Sequence, residues 1–318
     1  MPSLKIKMDL LQSLRCPVCY AALVEGNEYF LCSTSDCGKQ YPIIDGVPVL
    51  INDSESIFSI NDYVNKRPTT MGYSDSLSAR IKSLFPSISH NFIAVNNYAV
   101  FFDKIKNTPS RRVLIIGGSI MGEGLKPFYS DDVEFIDSDV TFGKNTKIIF
   151  DAHNIPFADC TFDGVIIQAV LEHVADPFQC VGEIHRVLKT KGLVYSETPF
   201  MQQVHMGKYD FMRFTYLGHR RLFRKFDELS SGPLCGPGMA LAWSLTYFLQ
   251  SFTNSKTTTK IIGVVSQILF FWLKYFDYYL IKKNGAYDSA SAYYFLGTKS
   301  RCSLTDRELI QLYKGNIS

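Results

Sequence analysis

Short apolar runs recur through the middle of the chain, and each one stops at glycines or polar residues. Runs of this length between turn residues are typical of buried strands. The predicted strands are residues 113–116, 133–136, 147–150, 162–168 and 192–196. Residues 177–189 have apolar positions at helical spacing, so a helix is predicted between the last two strands. Strands that alternate with helices predict a parallel sheet, with ligands bound at the carboxyl ends of the strands.

The segments that precede the first strand carry different patterns. Residues 53–75 are polar and rich in turn residues, which predicts a linker with short helical pieces. Residues 76–107 have apolar positions at helical spacing, among them Ile81, Leu84 and Phe101. We therefore expect helices that lead into the first strand.

Two long apolar stretches follow the central region, at residues 239–253 and 261–281. The polar residues of the second stretch share one narrow stripe at helical spacing: Gly263, Gln267, Lys274 and Asp277. The two charged side chains make a membrane span costly, although the length would allow one. A helix in the membrane interface and a subunit interface of a homodimer are the two leading interpretations of residues 239–281.

The composition bounds the class of protein. The chain has 318 residues, of which 46% are hydrophobic, so it can bury a sizeable core. A net charge of +3 is too weak to indicate nucleic acid as a partner. The first residues lack the apolar stretch of a secretory signal, and four of the eight cysteines are scattered as ordinary thiols. We therefore expect a cytoplasmic protein. Peripheral attachment to the inner face of the membrane is compatible with this expectation.

Clustered glycines follow the first predicted strand at once. They are Gly117, Gly118, Gly122 and Gly124. Glycines at this position let the backbone approach a ligand that a side chain would block. The second predicted strand ends near Asp137 and Asp139, where a carboxylate can accept hydrogen bonds from ribose hydroxyls. This order favours a nucleoside-containing cofactor, and a plain glycine-rich loop is the alternative.

Four cysteines near the N-terminus have the spacing of a metal site. Cys16 and Cys19 form one pair, and Cys32 and Cys37 form the other. Two tight turns of this kind can place four thiolates in a tetrahedron around zinc. Iron in a rubredoxin-like site is the main alternative, and a disulfide pair is disfavoured in the cytosol. A closed four-thiolate site has no open position for substrate, so the zinc is expected to be structural.

The first cysteine turn, LRCPVC, and the later YPIIDGVPVLI resemble the short zinc ribbon found beside, or fused to, bacterial and tRNA-modifying methyltransferases. The resemblance covers about residues 8–52. It implies a small N-terminal zinc ribbon at residues 1–52, followed by a linker with helices at residues 53–110.

A second resemblance is carried by DAHNIPFADCTFDGVIIQAVLEHVADP and EIHRVLKTKGLVYSETP. The set resembles the class I S-adenosylmethionine-dependent methyltransferases, nearest to the quinone-biosynthesis branch, over residues 111–200 and again near 292–298. It implies the α/β class, with a Rossmann-like, doubly wound and mostly parallel sheet. The methyltransferase domain would span residues 111–318, with an apolar helical insertion at about residues 216–288.

The same resemblance implies a set of residues for S-adenosylmethionine. They are Gly117, Gly118, Gly122, Gly124, Asp137, Asp139, Asp151, Ala152 and Gln168. The glycine loop would cradle the methionine and ribose, either of the first two aspartates would take the ribose hydroxyls, and Asp151 with Ala152 would face the adenine. The family usually has an acidic residue inside the first strand, where this chain has Ile115. Backbone carbonyls or another side chain would then hold the amino group of the methionine.

The loop after Glu197 concentrates groups suited to the methyl acceptor. A nitrogen or oxygen acceptor can require a base besides alignment with the methyl group. We predict His205 as that base, because the pKa of imidazole lies near neutrality. Asp210 would orient His205, and Arg213 would pair with an anionic group of the substrate. The alternative is that His205 caps the loop while Asp210 and Arg213 form a structural ion pair.

The leading functional hypothesis is methyl transfer to a small-molecule or lipid-linked, glycan-bearing acceptor. An RNA methyltransferase that uses the ribbon to grip nucleic acid is an alternative, but few basic residues lie near the cysteine turns. A scaffold that has lost cofactor binding is a second alternative, which Ile115 allows. A nicotinamide dehydrogenase is disfavoured because the glycine spacing does not match GxGxxG.

Overall fold

The structure, a computed structural model, describes residues 4–69 and 85–316. The predicted helical positions Ile81 and Leu84 lie outside the described residues.

The described strands join in one sheet of eleven. Their bounds are β1 (Leu23–Glu25), β2 (Tyr29–Cys32), β3 (Gln40–Ile44), β4 (Val47–Leu50), β5 (Arg112–Ile116), β6 (Glu134–Asp139), β7 (Ile148–Phe150), β8 (Phe162–Gln168), β9 (Leu188–Pro199), β10 (Phe226–Cys235) and β11 (Ala292–Lys299). Their order across the sheet is β1-β2-β3-β4-β7-β6-β5-β8-β9-β11-β10.

The centre of the sheet is parallel and doubly wound. Strands β4 to β9 pair in parallel, and the strand order reverses at β5, which lies between β6 and β8. Strand β11 returns antiparallel between β9 and β10. The predicted Rossmann-like, mostly parallel sheet is therefore confirmed.

The helices lie between and beyond these strands. Their bounds are α1 (Met8–Leu11), α2 (Ile60–Val64), α3 (Ala94–Lys106), α4 (Pro177–Val187), α5 (Tyr216–Leu222), α6 (Pro237–Gln250), α7 (Lys256–Phe270), α8 (Asp277–Leu280), α9 (Ala286–Ser289) and α10 (Asp306–Ile310). Short 3₁₀ helices occur at Lys126–Phe128, Gly207–Tyr209 and Phe271–Phe276.

The two faces of the sheet are covered by different helices. Alternate residues of β5 divide between two apolar clusters, because side chains along a strand point to opposite faces. Leu114 belongs to the cluster that includes Ile184 of α4, and Val113 belongs to the cluster that includes Phe101 of α3. Helix α4 begins at Pro177, where the side chain of Asp176 caps the first turn.

The cysteine-rich region is joined to the central sheet. Strand β4 pairs in parallel with β7, so that Val49 lies opposite Ile149. The backbone N–H of Arg15 donates to the carbonyl of Pro156 at 2.9 Å, and the hydroxyl of Tyr20 donates to Glu183 at 3.2 Å. The boundary predicted at residue 52 therefore lies just after β4, a strand of the cysteine-rich region that also belongs to the central sheet.

The region predicted as a helical insertion also contains a strand. Residues of β10 pair along β11, although their sequence, FDELSSGPLC, has no apolar alternation that would predict it. Helices α6, α7 and α8 follow β10 as the apolar part. One helical run among the described residues, Lys256–Leu280, is long and apolar enough to cross a membrane by length and composition alone.

The polar stripe of that run faces the protein. Both carboxylate oxygens of Asp277 accept backbone N–H groups at the start of α6, from Gly238 at 2.7 Å and Met239 at 3.0 Å. The Lys274 ammonium donates to the carbonyl of Ser87 at 2.6 Å. The outward face is apolar and exposed, and it includes Ile268, Trp272 and Phe276.

Candidate active site

A cavity of about 450 Å³ opens at the carboxyl ends of β5, β6 and β8. Its lining includes seven of the residues predicted for the site: Gly117, Gly122, Asp139, Asp151, Ala152, Gln168 and His205. The edge where the strand order reverses is where doubly wound sheets bind ligands.

Two of the glycines that line the cavity hold conformations or contacts that a side chain would forbid. Gly117 has φ of +84°, in the left-handed region that glycine adopts without strain. At Gly122, an added Cβ would collide with the side chain of Gln168. Gly118 and Gly124 lie behind the cavity wall, against Asp137 and Ala94 respectively.

The two aspartates of β6 have different surroundings. Asp139 lines the cavity and accepts the N–H of Ser119 in the glycine loop at 3.0 Å. Asp137 is buried behind Gly118, accepts the hydroxyl of Tyr129, and lies 3.9 Å from the ammonium of Lys147. Burial raises the pKa of both carboxyls.

Asp151 is held from two directions. His153 Nδ1 lies 2.5 Å from one of its oxygens, and the hydroxyl of Ser56 donates to the other at 2.5 Å. Burial alone would raise the pKa of Asp151, but these hydrogen bonds outweigh it and leave the pKa below its ordinary value. Phe58 lines the cavity and stacks on Tyr209 with ring centroids 6.0 Å apart. The predicted linker therefore contributes to the cavity wall.

Gln168 is fixed by a buried network at the end of β8. Its amide donates to Glu197 at 2.6 Å, and its oxygen accepts the hydroxyl of Tyr98 at 2.9 Å. Glu197 also accepts from Tyr195 and Asn91, and burial nevertheless raises its pKa to about 7. These contacts hold the Gln168 side chain against Gly122.

The cavity wall is apolar at Ile115, where the methyltransferase family usually has an acidic residue. Ile115 lines the cavity beside the glycine loop. The acidic residues among the lining residues of the described chain are Glu123, Asp139 and Asp151. Glu123 follows Gly122 and pairs with His90 Nδ1 at 3.1 Å.

The opposite end of the cavity is formed by two loops. His173 follows β8, and His205 and Tyr209 follow β9. The imidazole rings of the two histidines meet edge to face at 4.7 Å. Burial lowers the pKa of both, that of His173 to about 4.

Glu172 belongs to the LEHV stretch and is not among the predicted site residues. Its side chain is fully buried, and Oε1 lies 3.6 Å from His173 Nε2 and 3.8 Å from His205 Nε2. Burial raises its pKa to about 8. The LEHV motif places a carboxyl group and an imidazole next to each other in the sequence, but only the structure shows that His205 from the other loop reaches them.

Asp210 and Arg213 lie behind His205 and outside the cavity lining. The guanidinium of Arg213 makes two hydrogen bonds to Asp210 and also donates to the carbonyls of Gln202 and Gln203, the latter at 3.0 Å. Burial would raise the pKa of Asp210, but the bonds from Arg213 and the His205 backbone lower it to about 2. Their predicted catalytic roles stay predictions.

The four N-terminal cysteines converge on one point. Their sulfurs all lie within 4.8 Å of one another, with Cys19 3.4 Å from Cys32 and Cys16 3.7 Å from Cys37. Thiolates about 2.3 Å from a tetrahedral zinc are about 3.8 Å apart, so the cluster has suitable dimensions. The Tyr41 hydroxyl lies 3.0 Å from Cys16 Sγ and can support that ligand.

A family model described as a methyltransferase domain matches residues 133–196, from the start of β6 into β9. The matched segment carries Asp139, Asp151 and Gln168, and the sheet order around it is the one that class I methyltransferases have. The chain contains a class I S-adenosylmethionine-dependent methyltransferase domain. The cavity at the strand ends is accordingly the candidate active site of a methyltransferase.

Solved structures resemble the chain at low identity. A methyltransferase from Archaeoglobus fulgidus is 17% identical, with 70% of this chain and 100% of that chain covered and a TM-score of 0.42. A phosphoethanolamine N-methyltransferase from Haemonchus contortus in complex with S-adenosyl-L-methionine is 14% identical, with 80% of this chain and 62% of that chain covered and a TM-score of 0.41. YcgJ from Bacillus subtilis is 14% identical, with 65% of this chain and 99% of that chain covered and a TM-score of 0.36. No curated protein matches the sequence.

Proposed function

We propose that this methyltransferase transfers a methyl group from S-adenosylmethionine, bound in the 450 Å³ cavity, to a small-molecule or lipid-linked acceptor. The observation that carries the proposal is the division of the cavity. Strand ends and the glycine loop line one end, and two histidines from separate loops line the other. The first end suits a nucleoside cofactor, and the second suits an acceptor that reacts at a nitrogen or oxygen.

Within this proposal Asp139 takes the ribose hydroxyls. It lines the cavity, whereas Asp137 is enclosed by Tyr129 and Lys147. Asp151 and Ala152 line the adenine side, and Gln168 reaches the methionine side from its network with Glu197.

The position of Ile115 requires another group for the methionine ammonium. Glu123 is a lining carboxylate in the glycine loop, and we assign that role to it. Its partner His90 is half-exposed, so the pair can separate without burying a charge.

Titration calorimetry with S-adenosylhomocysteine tests the cofactor proposal. The wild-type chain should bind one equivalent, and Glu123→Gln should bind more weakly with an unchanged melting temperature. Absence of heat at millimolar ligand would remove the enzymatic interpretation and favour the scaffold.

The acceptor loop is braced by the apolar helices. The hydroxyl of Tyr247 in α6 donates to the carbonyl of Val204 at 2.8 Å, next to His205. The amide of Gln203 donates to Ser244 at 3.3 Å. The apolar surface therefore adjoins the loop that carries the acceptor-side histidine, which supports an acceptor with a polar head and an apolar tail, as in the quinone-biosynthesis branch.

We assign the outward face of α6–α8 to a lipid surface. Aromatic and aliphatic side chains dominate this face, including Phe248 and Tyr279, which are 60% and 64% exposed. The charges of Lys274 and Asp277 point inward, and Lys282 and Lys283 follow the last helix. Apolar rings with flanking lysines suit an anionic membrane interface.

Sedimentation with vesicles of phosphatidylcholine and phosphatidylglycerol tests this assignment. The wild-type chain should pellet, and Trp272→Ser with Phe276→Ser should remain in the supernatant. A chain that stays in the supernatant but forms dimers by light scattering would assign the surface to a second copy instead.

The ribbon is proposed to hold one structural Zn²⁺ through Cys16, Cys19, Cys32 and Cys37. The convergence of the four sulfurs supports this proposal. Metal analysis of the purified chain, with Cys302→Ser as the control for an exposed cysteine outside the cluster, tests it.

A further inference from the structure

A second group of metal-ligating side chains lies apart from the cysteines, at the acceptor end of the cavity. Glu172, His173 and His205 each offer one ligand atom, and those atoms lie within 4.8 Å of one another. The two histidine nitrogens that face Glu172 Oε1 are both Nε2, at 3.6 and 3.8 Å. Ligand atoms held about 2.1 Å from a tetrahedral ion are about 3.4 Å apart, so small side-chain movements would bring all three onto one ion.

Glu172 carries a buried carboxyl group that receives no hydrogen bond from the described part of the chain. The residue is fully buried, and neither of its carboxylate oxygens has a hydrogen-bond partner among the described residues. A buried polar group without a hydrogen bond is unfavourable, and its charged form is more so unless a cation compensates it. A bound cation would supply that compensation by binding the deprotonated carboxylate.

Both histidines direct Nε2 towards Glu172, and His173 is held in the tautomer that a metal ligand needs. Nδ1 of His173 lies 2.8 Å from the carbonyl oxygen of Tyr209, which can only accept, so Nδ1 carries the proton. Nδ1 of His205 lies 3.4 Å from Asp210 Oδ2 and 3.5 Å from a guanidinium nitrogen of Arg213, which can only donate. Metal-bound histidines typically donate their second N–H to a carbonyl or a carboxylate, as His173 does here and as His205 would do towards Asp210 when its Nε2 binds an ion.

The two loops that supply the ligands are tied together without the ion. The carbonyl of Glu172 accepts the N–H groups of Phe211 at 2.8 Å and Met212 at 3.2 Å. Arg213 holds Asp210 in place behind His205. The ligand set is therefore pre-positioned by backbone contacts, which lowers the entropic cost of binding an ion.

We propose that Glu172, His173 and His205 bind one divalent transition-metal ion at the acceptor end of the cavity. Two imidazoles and one carboxylate suit Mn²⁺, Fe²⁺, Co²⁺ or Zn²⁺ and leave coordination positions open. His173 and His205 line the cavity, so the open positions face it.

The class of acceptor follows, and this step rests on the proposed methyl transfer. A hydroxyl oxygen that occupies an open position would lose its proton to solvent at a lower pH than free in water, because the cation stabilises the oxyanion. The ion would then replace a free imidazole of His205 as the means of activating the acceptor. The site therefore selects oxygen acceptors, such as phenols or vicinal diols.

Mn²⁺ titration of the full-length, zinc-loaded chain tests the site, because Mn²⁺ avoids thiolate ligands. Calorimetry and the loss of the free-ion electron paramagnetic resonance signal should report one Mn²⁺ per chain. Glu172→Gln and His205→Ala should each weaken binding by at least about tenfold. His185→Gln, a half-buried histidine that contacts the carbonyl of Ser300, should bind as the wild type does.

The stability of Glu172→Gln separates a metal ligand from a structural residue. The Glu172 carboxyl makes no hydrogen bond that this variant would remove, so the metal-free chain should keep its melting temperature while Mn²⁺ binding falls. Mn²⁺ binding that both Glu172→Gln and His205→Ala retain would overturn the site, as would wild-type protein that binds S-adenosylhomocysteine but no Mn²⁺. Wild-type protein that binds Mn²⁺ but no S-adenosylhomocysteine would uphold the metal site and overturn the proposed methyl transfer.

Discussion

The two ends of the cavity satisfy their polar groups in opposite ways. At the cofactor end, Asp151 accepts hydrogen bonds from His153 and Ser56, and Gln168 is held by Glu197 and Tyr98. At the acceptor end, the buried carboxylate of Glu172 receives no hydrogen bond from the described residues. The first end is organised before any ligand arrives. The second retains a buried carboxyl group without a hydrogen bond, which a ligand or an ion would satisfy.

The difference follows from the elements that build each end. The cofactor end is made at the tips of parallel strands, whose spacing is set by the sheet. The acceptor end is made where the loop after β8 meets the loop after β9, which must be braced by α6. Affinity for the cofactor and rate of turnover should therefore respond to different substitutions.

The largest expected effect is on turnover at the acceptor end. His205→Ala should slow methyl transfer by roughly 100-fold or more, because it removes the imidazole that would activate the acceptor as a base or hold the proposed ion that does so. Affinity for S-adenosylhomocysteine should stay within a few-fold, measured by calorimetry. His185→Gln is the matched control. Should His205→Ala instead lose the cofactor, the two ends would not be separate.

Arg213→Ala distinguishes a substrate contact from a brace. If Arg213 only holds Asp210, as its bonds to that carboxylate and to Gln203 suggest, kcat should fall while KM for the acceptor changes little. An anionic-substrate contact would show in KM first. Steady-state kinetics over a range of acceptor concentrations separates the two results.

The next effect concerns the cofactor end and the two aspartates of β6. Asp139→Asn should weaken S-adenosylhomocysteine binding by about tenfold or more, since hydrogen bonds to a charged group contribute about 1.5–3 kcal/mol. Asp137→Asn should leave affinity within a few-fold and lower the melting temperature, because Tyr129 and Lys147 lose their carboxylate partner. Equal affinity losses in the two variants would contradict the assignment of ribose binding to Asp139.

Loss of the ribbon metal should affect the cofactor end only indirectly. Cys32→Ser should lose zinc and lower the melting temperature, since a segment of this size has too little core of its own. Because Ser56 and Phe58 follow the ribbon and reach the cavity, cofactor affinity should fall, but by less than about tenfold. Cys302→Ser should leave the zinc content, the melting temperature and the cofactor affinity unchanged. A Cys32→Ser protein that keeps its full zinc content would refute the ligand set.

The smallest effect is on the pH dependence of stability through Glu197. Its pKa is about 7 in the folded chain and about 4.3 in an unfolded one, so between these values the folded state holds one more proton. This contribution favours folding at low pH and is lost as the pH rises towards 7. Glu197→Gln should remove it, with a change in slope of about 1 kcal/mol per pH unit. Urea unfolding at pH 5, 6 and 7 measures the slope, and identical slopes in both proteins would exclude it.

Sequence patterns predicted the central sheet well because each strand is buried on both faces. The run predicted at residues 162–168 coincides with β8, and the run at residues 113–116 lies inside β5. Strand β10 escaped prediction because its pairing with β11, rather than its own apolar pattern, determines its conformation.

The site was predicted only where it follows directly from a strand end. Asp139 and Gln168 could be expected near the ligand on that ground. Phe58 could not, since it reaches the cavity only through a tertiary contact with Tyr209. Glu172 could not either, because its burial depends on the loop that carries His205.

The pairing of β4 with β7 also bears on aggregation. Strand β7 is three residues long, and without β4 it would expose its unpaired backbone N–H and C=O groups as the edge of the central sheet. Exposed edges recruit strands from other chains, and proteins usually cover them. The cysteine-rich region therefore shields this edge as well as offering a metal site, so a chain truncated before β5 would associate through β7 with its own copies.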